Sequence, residues 1–247
     1  MNKIEFQKTK KKIQQHGFVI IKKKFSKKCI KDLKNDLKYL SNTKMRSTTS
    51  ANVIDSKLII NPHSNSINFC KILFSKIVEN YCMEFLNDKF YRSIDKKLPN
   101  YCLNVSIVRS SGKDVLDFHR DDRNPPSGSK KVCYLQFALA LEEVTKKNGC
   151  TVVIPGTHLI ETYVKNIKKH KPYYVCMEEG DLLVYDGRLW HSALGNFSKK
   201  TRWMFFFGFA RWHFRQTYDY TKDLNKKILK KLSLKDILKI GFHAITK

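Results

Sequence analysis

The stretch Gly180-Asp-Leu-Leu-Val-Tyr-Asp-Gly-Arg-Leu-Trp-His191 joins a short apolar run to a turn and a histidine. The run at 181–185 is too short for a typical helix and is bounded by a glycine, which favours a β-strand. His191 follows the turn that ends this run. The stretch therefore predicts a strand and a turn that present an imidazole.

Five more runs of β-type residues lie on either side of this stretch. They cover residues 101–109, 131–141, 150–154, 173–177 and 202–210, and turn residues separate them. Regular spacing of short strands and turns is typical of β-sandwiches and barrels. We therefore predict that this part of the chain is mainly β.

The two ends of the chain have a more helical pattern. A short apolar strand at 17–21 precedes a helix that Ser26 can cap, and residues 67–90 predict one long helix on the outside of the sheet. Between them, residues 41–56 have the polar composition of a loop or lid. Residues 220–240 are rich in lysine with apolar residues at helical intervals, which predicts an amphipathic helix or helix pair.

Length and composition suit one domain. With 247 residues, 42% of them hydrophobic, the chain can bury one substantial core. We predict a single domain over residues 1–247, with a helical part at about 1–95, a β core at about 100–212 and a basic helical segment at about 220–247.

The formal net charge of +26 raises the question of a nucleic-acid partner, because a clustered basic face attracts phosphate. Only nine of the 48 basic residues are arginines, and the lysines are scattered through nearly every segment. This distribution favours a solvated surface over a binding footprint.

The cysteines and the lengths of the apolar runs indicate the cellular compartment of the protein. The seven cysteines are isolated and show no Cys-x-x-Cys spacing, which is typical of reduced thiols. The first residues lack the apolar region of a secretory signal, and no apolar run approaches the roughly 18 residues of a membrane span. We expect a soluble, cytoplasmic protein with no membrane association.

Four residues carry the candidate chemistry. His119 and Asp121 are two apart, so on an extended segment their side chains point the same way. With His191 they supply two imidazoles and one carboxylate, the facial set of non-haem Fe(II) oxygenases. Arg202 opens the strand after His191; if the two strands are antiparallel neighbours, the arginine lies across from the histidine and can clamp a carboxylate. A zinc hydrolase can use the same three ligands.

Four motifs in order resemble one family. Phe118-His-Arg-Asp121, Asn148-Gly-Cys-Thr-Val-Val-Ile-Pro-Gly-Thr-His158 and the opening stretch extended to Ser192, followed by Asn196 and Arg202, are similar to the phytanoyl-CoA dioxygenase family of Fe(II)- and 2-oxoglutarate-dependent oxygenases. The resemblance covers about residues 100–212. It favours iron over zinc.

The resemblance implies a double-stranded β-helix, or jelly roll, with Fe(II) bound by His119, Asp121 and His191. It implies that Arg202 holds the distal carboxylate of the cosubstrate 2-oxoglutarate and that O2 is consumed. Halogenating relatives lack the carboxylate at the position of Asp121, so its presence favours hydroxylation. The expected reaction is hydroxylation of a small molecule with release of succinate and CO2, and the many lysines permit an anionic substrate.

Further cosubstrate contacts are expected from the strand at 101–109. Asn104 and Ser106 share a face there, and either can hydrogen-bond 2-oxoglutarate, with Ser106 favoured by the pattern of relatives. On the next strand Gln136 is suited to line a cavity. Ala193 falls where relatives often have a hydroxyl, so one cosubstrate hydrogen bond is missing there. His158 is expected to stabilise its turn instead of binding metal.

Other functions stay open at this stage. An oxygenase acting on nucleic acid or protein would suit the basic charge, but nucleic-acid demethylases of this superfamily carry a second arginine six residues after the first, and position 208 is glycine. A non-catalytic jelly-roll binding protein is disfavoured because the ligands and Arg202 are all present. The sequence gives no oligomeric state.

Overall fold

The computed structural model describes residues 2–47, 57–88, 95, 97–122, 131–160 and 169–242, with backbone alone at 42–47. Its α-helices are α1 (Lys3–His16), α2 (Lys27–Lys44), α3 (Ile67–Leu73), α4 (Lys76–Phe85), α5 (Tyr220–Asp223), α6 (Lys226–Leu229) and α7 (Leu234–Ile240). Two short 3-10 helices lie at Pro62–Ser64 and Thr157–Leu159. None of the helices in these ranges is long and apolar enough to span a lipid bilayer.

Two antiparallel sheets form the centre of the fold. The strands are β1 (Phe18–Ile21), β2 (Met45–Ser47), β3 (Lys57–Ile60), β4 (Tyr101–Ser110), β5 (Leu116–His119), β6 (Tyr134–Ala140), β7 (Thr151–Val153), β8 (Tyr173–Val175), β9 (Leu182–Asp186), β10 (His191–Ala193) and β11 (Trp203–Arg211). The large sheet has the order β1-β9-β6-β11-β4-β3-β2, and the small sheet has the order β5-β10-β7-β8. This is the predicted jelly roll.

The central strands of the large sheet are covered on both faces, which explains why most of their residues are apolar. On β6, Leu135, Phe137 and Leu139 join a core shared with residues of α1 to α4. The alternate residues Ala138 and Ala140 join a second core with side chains of the small sheet. Period-two alternation therefore divides each central strand between a helix-covered face and a face toward the small sheet.

Two helical predictions are wrong in detail. The predicted helix at 67–90 is two helices, because Ser75 is extended (φ −61°, ψ 148°) and interrupts the helical hydrogen bonds between α3 and α4. The predicted helix or helix pair at 220–240 is three short helices. Leu224 is extended at the end of α5, and the side chains of Asn225 and Ser233 cap α6 and α7.

The N-terminal part contributes strands as well as helices. The predicted strand at 17–21 is β1, which pairs along β9 from Phe18–Tyr185 to Ile21–Leu182. The predicted loop at 41–56 begins instead with the end of α2 and with β2, which extends the large sheet through β3. The remainder of that loop, residues 48–56, lies outside the described residues.

Candidate metal centre

Two strands of the small sheet bring the candidate ligands together. His119 ends β5, His191 begins β10, and the two residues are direct antiparallel partners with ring centroids 4.2 Å apart. Asp121 follows two residues after His119, and its carboxylate lies 3.8 Å from Nε2 of His119 and 3.6 Å from Nε2 of His191. The three potential ligand atoms all lie within 4.8 Å of one another.

Backbone carbonyls orient both imidazoles. Nδ1 of His119 lies 2.8 Å from the carbonyl of Asp117, and Nδ1 of His191 lies 3.0 Å from the carbonyl of Leu189. A carbonyl only accepts, so each Nδ1 carries the proton and each Nε2 presents a lone pair toward Asp121. Metal-binding histidines have this arrangement, and the donor set suits a divalent first-row metal such as iron.

Burial and the neighbouring carboxylate act in opposite directions on His191. Burial lowers the pKa of His191, and the negative charge of Asp121 partly offsets that effect. The imidazole is therefore neutral at neutral pH, which is the form that binds a metal.

Tyr185, on β9 of the large sheet, contacts two of the three candidate ligands. Its hydroxyl donates to Oδ2 of Asp121 at 3.0 Å and lies 3.4 Å from Nε2 of His191. Burial, with the charge of Asp121, raises the pKa of Tyr185 well above its usual value, so the phenol keeps its proton. The sequence showed Tyr185 only as part of an apolar run; the alternation along β9 is the signal that places it on the inner face.

The centre opens into a cavity of about 150 Å³ between the sheets. The predicted Gln136 lines it. Apolar groups come from Ile107, Leu116, Leu194 and Phe206, and polar ones from Arg109, Asp114, Thr151 and Arg202 among others. Ala193 also lines the cavity, and its antiparallel partner on β7, Thr151, lines it too.

Arg202 reaches the cavity by a route other than the predicted one. His191 is on β10 of the small sheet and Arg202 precedes β11 of the large sheet, so the two are not neighbours in one sheet. Both contribute to the lining of the cavity because the chain crosses from one sheet to the other between them. The two residues line one cavity, but they are not on neighbouring strands of one sheet as predicted.

The Asn-Gly-Cys motif fixes the guanidinium of Arg202. Nε donates to the carbonyl of Asn148 at 3.3 Å, and Nη2 donates to the carbonyl of Gly149. Gly149 has a φ of +89°, in the left-handed region that favours glycine. Arg202 is 5% exposed, and burial lowers its pKa to about 10, which leaves it charged at neutral pH.

The predictions for Asn104 and Ser106 are corrected by the structure. Ser106 is on the helix-covered face of β4 and its hydroxyl lies 2.9 Å from Nδ1 of His63. Asn104 sits at an irregularity in the β4–β11 register and donates to the carbonyl of Arg215. The residues of β4 that line the cavity include Ile107 and Arg109, since alternate residues of a strand face opposite sides. The strand was predicted, but the face was wrong.

Several other motif residues have structural contacts. Nε2 of His158 lies 3.1 Å from the carbonyl of Gln14, so this imidazole contacts α1 and is not among the candidate ligands. Arg188 forms a two-point ion pair with Asp186, with contacts of 3.0 Å and 2.6 Å, at the turn that leads to His191. This ion pair fixes the turn that positions the histidine.

A jelly roll with two imidazoles and one carboxylate around one point, and a buried arginine in the same cavity, characterises the non-haem iron oxygenases that use 2-oxoglutarate. The chain belongs to the phytanoyl-CoA dioxygenase family, whose model matches residues 13–204.

Relatives by sequence match about half of each protein. An uncharacterised protein of Mycobacterium tuberculosis is 30% identical over 135 residues, which cover 53% of this chain and 49% of the relative. The dioxygenase olcK of Penicillium canescens is 28% identical over 148 residues, covering 57% and 48%. The chain thus spans about half the length of the relatives it matches.

Solved structures share the fold at low sequence identity. The epimerase SnoN from nogalamycin biosynthesis, in complex with Fe3+, alpha ketoglutarate and nogalamycin RO, has a TM-score of 0.69 at 14% identity, covering 85% of each chain. HygX from Streptomyces hygroscopicus, with nickel, 2-oxoglutarate and hygromycin B bound, has a TM-score of 0.67 at 12% identity, covering 85% of this chain and 89% of HygX.

Proposed function

We propose that this protein is a non-haem Fe(II)- and 2-oxoglutarate-dependent dioxygenase that hydroxylates a small molecule and releases succinate and CO2. The observation that carries the proposal is the convergence of His119, Asp121, His191 and Arg202 on one cavity. Membership in the phytanoyl-CoA dioxygenase family supports it.

The proposed ligands of Fe(II) are His119, Asp121 and His191. Bound iron, together with 2-oxoglutarate, would supply the activation of O2 for attack on the substrate. The chain's own contribution is to hold both imidazoles in the metal-binding tautomer and to keep the Asp121 carboxylate in place through Tyr185. Because a carboxylate stands at position 121, we favour hydroxylation over halogenation.

Arg202 is the proposed anchor for the distal carboxylate of 2-oxoglutarate. Two of its N–H groups are held by the carbonyls of residues 148 and 149, which orients the guanidinium plane before any ligand arrives. The planar arginine fork can then donate two parallel hydrogen bonds to a carboxylate. The hydroxyl of Thr151, beside Ala193, is our candidate for the hydrogen bond that Ala193 cannot make.

We also propose that the whole chain forms one catalytic domain. β1, near the start, pairs with β9 of the large sheet, and α7, near the end, packs on β4 of the same sheet. A small-molecule substrate suits a cavity of this kind between the two sheets. SnoN has nogalamycin RO bound and HygX has hygromycin B bound, which supports this substrate class by analogy.

The structure gives no support to a nucleic-acid demethylase. In that class a second arginine would stand at position 208, but a side chain there would overlap Tyr134 and the Gln136 amide. Gly208 therefore leaves room for these two side chains where β11 pairs with β6.

The decisive experiment is an anaerobic titration of the purified protein with Fe(II) and 2-oxoglutarate, followed by O2 and a succinate assay with metabolite pools. We expect iron-dependent 2-oxoglutarate binding in the wild type, loss of iron binding in His119→Ala, and iron binding with weakened 2-oxoglutarate binding in Arg202→Gln. Arg215→Gln, at an exposed arginine outside the cavity lining, is the matched control.

Equal metal and 2-oxoglutarate binding by the wild type and His119→Ala would refute the proposal. Succinate release that nucleic acid stimulates, and metabolites do not, would replace the small-molecule substrate with nucleic acid.

A further inference from the structure

The cavity contains a second guanidinium whose role the proposed cosubstrate does not explain. Arg109 lies on β4, two residues from Ile107 on the same face, and both line the cavity beside the candidate metal centre. Its antiparallel partner on β11 is Met204. Arg202, two residues before Met204, lies diagonally across from it, so the two arginines approach one cavity from neighbouring strands.

No described residue neutralises Arg109. Its guanidinium has neither a hydrogen bond nor an ion pair within the described ranges. Burial lowers the pKa of Arg109, and no carboxylate among these residues raises it in compensation. Arginine nevertheless stays protonated at neutral pH, so the cavity wall holds an uncompensated positive charge that is partly removed from water.

The acidic residues of the cavity are committed elsewhere. Asp121 faces the two histidines and accepts a hydrogen bond from Tyr185. Asp114 does not raise the pKa of Arg109. The proposed cosubstrate has two carboxylates: the distal one has Arg202 as its proposed partner, and the charge of the other would be balanced by the bound metal cation. When the charges of the metal, the cosubstrate and the protein are paired, the positive charge of Arg109 is therefore without a negative partner among the described residues.

The two arginines differ in how deeply they are buried. Arg202 is 5% exposed, whereas Arg109 is half-buried. A ligand that enters after 2-oxoglutarate therefore meets Arg109 in the more accessible part of the cavity. The nearby lining includes the apolar side chains of Ile107, Leu116 and Phe206, which suits a molecule with an apolar body.

We propose that Arg109 binds an anionic group of the substrate, a carboxylate or a phosphate monoester, so that this site oxidises a small organic acid with an apolar body. This inference rests on the proposed function, because the assignment of Arg202 to 2-oxoglutarate leaves Arg109 for the substrate. It names a substrate class and a residue that selects it.

The test measures binding, which does not require turnover. Protein loaded with Ni(II) and 2-oxoglutarate is titrated by calorimetry with three probes of equal chain length: hexanoate, hexyl phosphate and uncharged hexanamide. The variants are Arg109→Gln and Arg109→Lys, with Arg215→Gln as an exposed control. The dissociation constant for 2-oxoglutarate is measured for each protein first, and thermal melting establishes that each variant is folded.

We expect the wild type to bind hexanoate or hexyl phosphate about tenfold or more tightly than hexanamide, the preference expected from a charge-assisted fork. Arg109→Gln should lose that preference and Arg109→Lys should keep part of it, with 2-oxoglutarate affinity unchanged in both. The probe preferred by the wild type identifies the anion.

Two results would overturn the inference. One is a wild type that shows no preference for either anion over the amide. The other is an Arg109→Gln variant that keeps the preference; if that variant also binds 2-oxoglutarate at least about tenfold more weakly, Arg109 is a second cosubstrate anchor. Failure of the wild type to bind 2-oxoglutarate with Ni(II) would instead refute the proposed function, so the two failures are distinguishable.

Discussion

The hydroxyl of Tyr185 is a single group on which the geometry of the candidate centre depends. It donates to Asp121, which would be a ligand of the metal, from a buried position. Loss of a partner that orients a metal ligand typically weakens metal binding about 10- to 100-fold. We expect that loss in Tyr185→Phe, which preserves the ring packing, measured as the dissociation constant for Fe(II) without oxygen.

The matched control for this prediction is Tyr174→Phe, on the more exposed strand β8. An Fe(II) affinity of Tyr185→Phe within about twofold of the control would show that the hydroxyl does not hold Asp121 in place.

The burial of His63 predicts that the protein is less stable in acid, for a reason unrelated to the metal centre. It is fully buried against Ser106 and Tyr220, Nε2 has no hydrogen-bond partner among the described residues, and burial lowers its pKa to about 3. The unfolded chain, with a histidine pKa near 6.5, binds the proton first as pH falls. Stability is therefore complete above about pH 6.5 and decreases as pH falls toward about 3.

Through His63 alone, a change from about pH 7 to about pH 4 should remove roughly 3 kcal/mol of the free energy of unfolding. Urea unfolding of the wild type and His63→Gln at both pH values isolates this contribution, since other groups titrate alike in both proteins. His170→Gln, at an exposed histidine, is the control. Equal loss of stability in wild type and His63→Gln would contradict the prediction.

At the level of elements, two glycines with nearly the same φ angle lie on either side of β7, and comparing them tests the role of the loop before β7. Gly149 has a φ of +89° and Gly156 a φ of +83°. A Cβ at Gly149 would overlap Ser111 and the carbonyl of Leu194, whereas at Gly156 it would meet nothing within 4 Å. A comparison of alanine at these two positions therefore separates the cost of the left-handed backbone from the cost of steric overlap.

We expect Gly156→Ala to lower the free energy of unfolding by about 1 to 2 kcal/mol through the left-handed backbone alone. Gly149→Ala should lower it further and also weaken 2-oxoglutarate binding, because the carbonyl that accepts from Arg202 must move. Urea unfolding and calorimetry measure both effects. Equal stability of the two variants, with unchanged 2-oxoglutarate affinity, would show that the loop relaxes without moving Arg202.

The strands were the elements that local sequence predicted best. The run at 101–109 became β4 (Tyr101–Ser110) and the run at 202–210 became β11 (Trp203–Arg211), because short apolar runs between turn residues have few other stable outcomes. The faces were harder to predict. β4 is buried on both sides, so its pattern does not mark the cavity face, and the register irregularity near Asn104 further alters the alternation.

For the molecule as a whole, the formal net charge of +26 predicts a stability that rises with salt. Like charges repel across a compact surface, and salt screens them over about 10 Å at 0.1 M. If the lysines form a solvated surface, the melting temperature should rise between about 20 mM and about 500 mM NaCl. An equal osmolality of betaine is the uncharged control, and a melting temperature unaffected by salt would contradict the prediction.

The sequence by itself determined the class of fold and the candidate centre. His119, Asp121 and His191 were identifiable because a metal site needs particular donor atoms, and Arg202 because a planar guanidinium suits a carboxylate. All four residues stand in motifs with fixed spacing. Tertiary structure alone decided which other groups share their cavity. Arg109 and Tyr185 come from β4 and β9 of the large sheet, the metal candidates from the small one, and only the packing of the two sheets brings them together. A strand's sequence shows which residues alternate, but which face lines the cavity depends on what covers the other face.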